Sequence, residues 1–140
     1  MSDIEESWEH LSTEVVVTLF NQIDGVLFWV KDRKHRITAL NRAFAERVKL
    51  ETYEVIGKTD ADLYYSELAA VFVEDDQRVL ESGRPMRRKV ELLSSQFGGI
   101  EWRSTTKLPL KNAQGEIVGT TGISRPLPET SDGLPVQYRA

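Results

Sequence analysis

Apolar residues recur along this chain at two periods, and the period changes where the elements change. Near the start, Trp8, Leu11, Val15 and Leu19 follow one another at three-to-four spacing, and Val16, Phe20 and Ile23 form a second, offset stripe. Residues Ser2 to Asn21 therefore read as an amphipathic helix, with Ser2 and Glu5 as a capping box and Glu5, Glu6 and Glu9 near its positive end. Two stripes need two surfaces. Either both pack on the domain's own sheet, or one meets a second copy through Trp8, Leu11, Val15 and Leu19. After the break at Asp24-Gly25, the run Val26 to Lys31 reads as a strand buried on both faces, and Arg36 to Leu40 as its hairpin partner across a polar turn.

The helical period then returns. Asn41 caps a helix over Arg42 to Leu50 with Phe44 and Val48 inward, and a short helical turn follows at Thr52 to Val55. Thr59 or Asp60 caps another through Leu63-Tyr64. Ser66 opens a longer helix to Ser82, closed by Gly83 and Pro85, with Leu68, Phe72 and Val79 inward and Asp75 on the same stripe. Strands are expected at Arg87 to Ser95, Trp102 to Leu110 and Glu116 to Arg125, the first turning at Phe97-Gly98-Gly99 and the last two joined by the turn Lys111-Asn112-Ala113-Gln114-Gly115. Two early strands and three late ones predict an α+β domain: one five-stranded antiparallel sheet with short helices on one face. The organisation read from this pattern is a flanking helix over 1–21, a domain over 22–125, and a linker over 126–140 towards a missing output domain.

Composition narrows the classes. With 140 residues, 40% hydrophobic and 29% charged, the chain fits one folded domain. There is no apolar run of membrane-spanning length and no secretion leader, so a cytoplasmic protein without a membrane partner is expected. With no cysteine there is no disulfide and no thiol chemistry. A net charge of −4 argues against direct nucleic-acid contact by this segment.

Taken together, VLFWVKD, NRAFAERV, EVIGKTDADLY, DDQRVLESGRP and WRSTTKLPLKNAQGEIVGTTGISR resemble, in order and spacing, a PAS domain over Gln22 to Ser124. The closing stretch is similar to sensor domains of bacterial signalling proteins. VKD with GKTDADL resembles PAS domains placed ahead of AraC-type DNA-binding domains in transcription regulators; histidine kinases and diguanylate cyclases carry similar ones. The resemblance implies a homodimeric sensor of a small ligand with an attached C-terminal effector. It also implies what is absent. Haem-binding members use a histidine on the long helix, and Ser66 to Ser82 has none; His10 and His35 read as solvated. LOV-type flavin chemistry needs a cysteine. Both cofactors are disfavoured, and the cofactor is left unknown. Many members end the last strand in Asp-Ile-Thr, whereas this one reads Arg125-Pro126-Leu127, where Pro126 is expected to stop regular pairing.

Candidate ligand-facing residues are Phe44, Tyr64, Phe72, Asp75, Trp102, Ser104, Thr106 and Thr121. Asp75 either turns to water or lines a polar pocket with Ser104, Thr106 and Thr121, because a carboxylate on an apolar stripe is costly unless paired. Asp60/Asp62 and Asp75/Asp76 with Tyr64-Tyr65 could serve acid–base chemistry. However, Asp60 suits a cap, Asp62 is expected to be solvated and Asp76 lies at the stripe's edge. Isomerase folds with such groups also place long helices before most of the sheet, so no enzyme is expected. An empty cavity of ~300 Å³ at ~24 cal/mol per Å³ would cost about 7 kcal/mol against a total stability of ~5–15 kcal/mol. Side chains such as Phe28, Trp29 and Phe44, or a ligand and water, must fill the space.

Overall fold

The computed structural model describes residues 11–94, 99–129 and 133–134. Helix α1 (Thr13–Phe20) is capped by Ser12, whose Oγ accepts the Val15 N–H at 3.3 Å. Strands β1 (Leu27–Asp32) and β2 (Ile37–Leu40) form the early hairpin. Four helices follow: α2 (Arg42–Val48), α3 (Thr52–Val55), α4 (Asp60–Leu63) and α5 (Ser66–Ser82). Strands β3 (Met86–Ser94), β4 (Ile100–Lys111) and β5 (Ile117–Pro126) complete an antiparallel sheet ordered β2-β1-β5-β4-β3. The expected α+β architecture and strand count are observed. Ser2 to His10, including Trp8, the Phe97-Gly98 part of the turn and most of the segment after Glu129 lie outside the described residues.

Sequence chemistry explains the frame. Asn41 caps α2 by accepting the Phe44 N–H, and its amide also ties β1 through Phe28 N and Val26 O at 3.0 and 2.8 Å. Gly83 closes α5 at φ 67°, the left-handed geometry that glycine adopts without strain. In the central strand β5, a Cβ at Gly119 would stand 2.0 Å from the Lys31 carbonyl oxygen, and one at Gly122 would stand 2.6 Å from that of Thr106. Glycine at these positions is what lets β1, β5 and β4 close together.

The sheet has two differently used faces. Leu27, Trp29, Ile37, Leu40, Phe44, Val55, Phe72 and Leu93 form the core between its inner face and the helices. On the outer face, Phe20 of α1 stacks on Phe28 with centroids 4.7 Å apart. The two stripes separate only within the helix: Phe20 and Val16 border the sheet, and Val15 and Leu19 remain 45% and 59% exposed. Leu11, which precedes the Ser12 cap, borders the groove under α1 while 50% exposed, and Ile23 of the second stripe is 52% exposed.

Two local features depart from expectation. Pairing does not stop before Pro126: β5 continues through it opposite Arg103, and Leu127 N–H bonds Trp102 O at 2.9 Å. The β1 ladder has already ended at Ser124, so the missing proline N–H removes no bond on that side. Leu127, in the segment expected to be linker, is buried. In β3 the register slips between Met86 and Lys89, and Arg88 adopts φ 54° with its N–H held by Thr106 Oγ1 at 3.1 Å.

A buried charge network at a small cavity

A cavity of about 30 Å³ lies between the inner sheet face and the helices, room for about two water molecules. Trp29, Phe44, Tyr64 and Phe72 supply its apolar wall, and Lys31, Asp60, Glu91, Lys107, Thr105 and Ser124 its polar wall. Side chains nearly fill the space, consistent with the cost of a large void. Tyr64 meets Phe72 edge-on at 5.2 Å, and its phenol pKa is pushed up by burial and then by the Asp60 charge.

Lys31, Asp60 and Lys107 of this wall join Asp76, which does not line the cavity, in a network of four interior charges. Lys31 follows Leu27 and Trp29 on the inner parity of β1. Its Nζ donates to Asp60 Oδ2 at 2.6 Å and to Asp76 Oδ2 at 2.7 Å. Asp60 is free to turn inward because Thr59 caps α4 and Asp62 Oδ2 accepts the Thr59 N–H at 2.9 Å. Asp76 stands on α5 one turn after Phe72, and Lys107 comes from β4 with its Nζ 2.9 Å from Asp76 Oδ1. Lys107 also donates to Phe72 O at 3.2 Å. Lys31 and Lys107 lie 6.0 and 5.6 Å from the Trp29 and Phe72 ring centroids. With Glu91, which also lines the cavity, and Asp76, which pairs with both lysines without lining it, two ammonium groups stand among three carboxylates.

Pairing outweighs desolvation here. Burial favours neutral Lys31, yet Asp60 and Asp76 together raise its pKa above the usual lysine value of 10.5. Burial likewise opposes the Asp76 charge, yet Lys31 and Lys107 hold its pKa below 3.8. A raised lysine pKa stabilises the fold fully below the unfolded value and loses that contribution as pH climbs through the folded one. A depressed carboxyl pKa does the reverse, stabilising above the unfolded value and failing as pH falls through the folded one. Urea midpoints measured across pH should therefore show a plateau between about pH 4 and pH 10.5, with Lys31 limiting the alkaline end and Asp76 the acid end. In Asp76→Asn the acid-side fall should become shallower; an unchanged slope would remove Asp76 from this account.

Next to the cavity, Arg103 is 1% exposed. Its Nε donates to the cavity-lining Ser124 Oγ at 2.8 Å, and its Nη2 to Ser124 O at 2.8 Å and Gly25 O at 2.6 Å. Its Nη1 meets Glu101 at 2.7 Å, and Glu101 also pairs with Arg47 of α2. One guanidinium thus joins the cavity edge, the end of β5 and the joint that leads back to α1.

The sequence-predicted residues divide. Phe44, Tyr64 and Phe72 come together at the cavity. Ser104, Thr106 and Thr121 do not: their strand parity places them on the outer face, where Thr106 and Thr121 border the groove under α1 and Ser104 faces Arg125. Trp102 is on that outer parity too, its indole N–H bonding Gly133 O at 2.7 Å. Asp75 neither reaches water nor joins those hydroxyls. It is 6% exposed and accepts from Lys89 at 2.6 Å, while its neighbour Asp76 occupies the interior and is not at the stripe's edge. Asp60 is a network member, not a cap. His35 is half-buried against Gln77 at 3.2 Å, not freely solvated. Lys31, Lys107 and Arg103 were missed, because charge on a strand reads as a water-facing parity. The signal available was position: Lys31 continues the Leu27-Trp29 alternation. Among the described residues no group of acids and histidines is arranged to hold a metal, and no helix is long and apolar enough to cross a membrane.

Known proteins share this fold. VqmA of Vibrio cholerae superposes in a ligand–DNA complex with TM-score 0.72 and 28% identity, covering 87% of this chain and 54% of that one. A VqmA dimer without target DNA superposes with TM-score 0.71 and 27% identity, covering 88% and 55%. A Vibrio cholerae diguanylate cyclase is 22% identical over 125 residues, 89% of this chain and 39% of its own length. The methanogenesis regulatory histidine kinase FilI of Methanothrix harundinacea is 26% identical over 104 residues, 74% and 12%. The chain thus spans about half of VqmA and less of the two curated relatives. The family model described as PAS fold matches residues 20–132, well over half of the sequence, and the chain belongs to that family.

Proposed function

We propose that this domain is the cytoplasmic sensory module of a transcription regulator, itself without catalytic activity, and that the cavity beside Lys31 and Lys107 receives a small ligand whose binding is passed to an attached C-terminal effector. The observation that carries this reading is the wall of charged side chains, Lys31, Asp60, Glu91 and Lys107, facing aromatic ones. The Lys31 and Lys107 ammonium groups keep N–H capacity to offer a ligand, and the hydroxyls of Thr105 and Ser124 stand on the same wall. A compact molecule carrying both acceptors and a donor suits such a wall. Because the cavity as it stands holds only about two waters, its entry requires aromatic side chains such as Phe44, Tyr64 or Phe72 to turn aside. The likeness to VqmA in a ligand–DNA complex supports both the ligand and the transcriptional setting.

The test is native mass spectrometry and thermal shift of the purified chain against a library of small heterocycles. At least one compound should raise Tm in the wild-type chain and fail to do so in Lys107→Met. If no compound binds and the cavity in a crystal structure holds only side chains, the ligand reading fails. A second reading is favoured by the exposed Leu11, Val15 and Leu19 stripe: the domain forms a homodimer through α1, and in a ligand-free form could serve a histidine kinase or diguanylate cyclase.

A further inference from the structure

Three arginines converge on one groove of the outer sheet face. Arg87 and Arg88 are consecutive, and in a regular strand they would point to opposite faces. The slip between Met86 and Lys89, with the left-handed φ of 54° at Arg88, turns both into the same groove. Arg125 of β5 enters from the other side, over a floor that includes Ser104, Thr106 and Ile123. The three are exposed, and among the described residues none of them makes an ion pair. The groove continues past Thr106 and Ile123 into the apolar groove bordered by Leu11, Phe20 and Leu108. Its fitting occupant therefore carries carboxylates alongside apolar side chains.

The chain's own sequence contains such a segment. Asp3-Ile4-Glu5-Glu6-Ser7-Trp8-Glu9 has acids at Asp3, Glu5, Glu6 and Glu9 interleaved with Ile4 and Trp8, and it directly precedes the Leu11, Val15 and Leu19 stripe. We propose that in the homodimer the arginine groove of each protomer receives the partner's acidic Asp3–Glu9 segment. Guanidinium–carboxylate pairs then fix the orientation of two copies whose α1 stripes supply the apolar contact. A chain of net charge −4 is poorly suited to hold a nucleic acid in this groove, and well suited to recognise an acidic patch through one local basic site.

This rests on the homodimer reading, and sedimentation equilibrium of the full chain separates the two. Arg87→Glu/Arg88→Glu/Arg125→Glu should raise the dimer Kd at least about tenfold at low salt, as should Glu5→Lys/Glu6→Lys/Glu9→Lys. An equimolar mixture of the two variants restores both complementary contacts and should dimerise about as well as wild type. The neutral Arg87→Gln/Arg88→Gln/Arg125→Gln variant, checked for native circular dichroism, should weaken the dimer less than reversal and lose its salt dependence. A wild-type Kd in the arginine variants, or no recovery on mixing, overturns the proposal. If Val15→Glu abolishes the dimer while the arginine variants leave it intact, only the groove assignment falls; a wild-type monomer sinks both. Duplex DNA binding that is lost with the arginines would replace the acidic segment as occupant and likewise overturn it.

Discussion

Replacing Asp76 with alanine is expected to lower the unfolding free energy by about 3–5 kcal/mol. The carboxylate is fully buried and touches both interior lysines, Lys31 at 2.7 Å and Lys107 at 2.9 Å. Without it, Lys107 keeps only the Phe72 carbonyl and Lys31 only Asp60, so two positive charges face one negative charge away from water. Desolvation of the surplus charge, not the lost attraction, sets the size of the effect. Asp75→Ala is the fitting comparison. Its partner Lys89 is 35% exposed and can return to solvent, so that loss should be about 1 kcal/mol. Urea unfolding at neutral pH reads both. Equal costs would mean that the interior position of Asp76 confers no special penalty.

Gly119→Ala is expected to cost about 3 kcal/mol, the upper end of what overpacking produces. The added carbon would lie 2.0 Å from the Lys31 carbonyl oxygen and 3.3 Å from the Asp32 Cα. Both neighbours are backbone, and the strand pair β1–β5 would have to part at the residue that carries the cavity lysine. Val118→Ala, next along β5 and 40% exposed, should cost well under half as much. Hydrogen exchange of the β1 amides in Gly119→Ala should accelerate locally; native protection would show that the strands absorb the methyl group without parting.

Much of the fold could be read because local signals agreed. Asn41, Gly83, the apolar run from Val26 and the turn before Glu116 each marked an element where the structure has it. The aromatic half of the cavity followed from helical spacing, since Phe44 and Phe72 lie on apolar stripes. Its polar half was obscured by a one-residue choice of parity. On β4, Trp102-Ser104-Thr106-Leu108 looks like the inner set and Arg103-Thr105-Lys107 the outer one, yet the charged set is buried. Two facts reverse the usual sign: helix α1 shelters part of the outer face, and carboxylates from α4 and α5 meet the lysines. Neither is local to β4, so no window along that strand contains the answer. The identity of Asp76 over Asp75 turned on about 100° of helical rotation, which an apolar stripe does not resolve.

The continuation of β5 through Pro126 and Leu127 sets a boundary for anyone grafting this module onto a different reporter. A fusion made at Arg125 would remove Leu127, and with it both the bond to Trp102 O and a buried apolar side chain, leaving a sensor with an unfastened sheet end. A junction at Pro128 or later keeps the last rung of the sheet. A chimera series stepping across residues 125–129 should switch from insoluble or unresponsive to well behaved once Leu127 is retained.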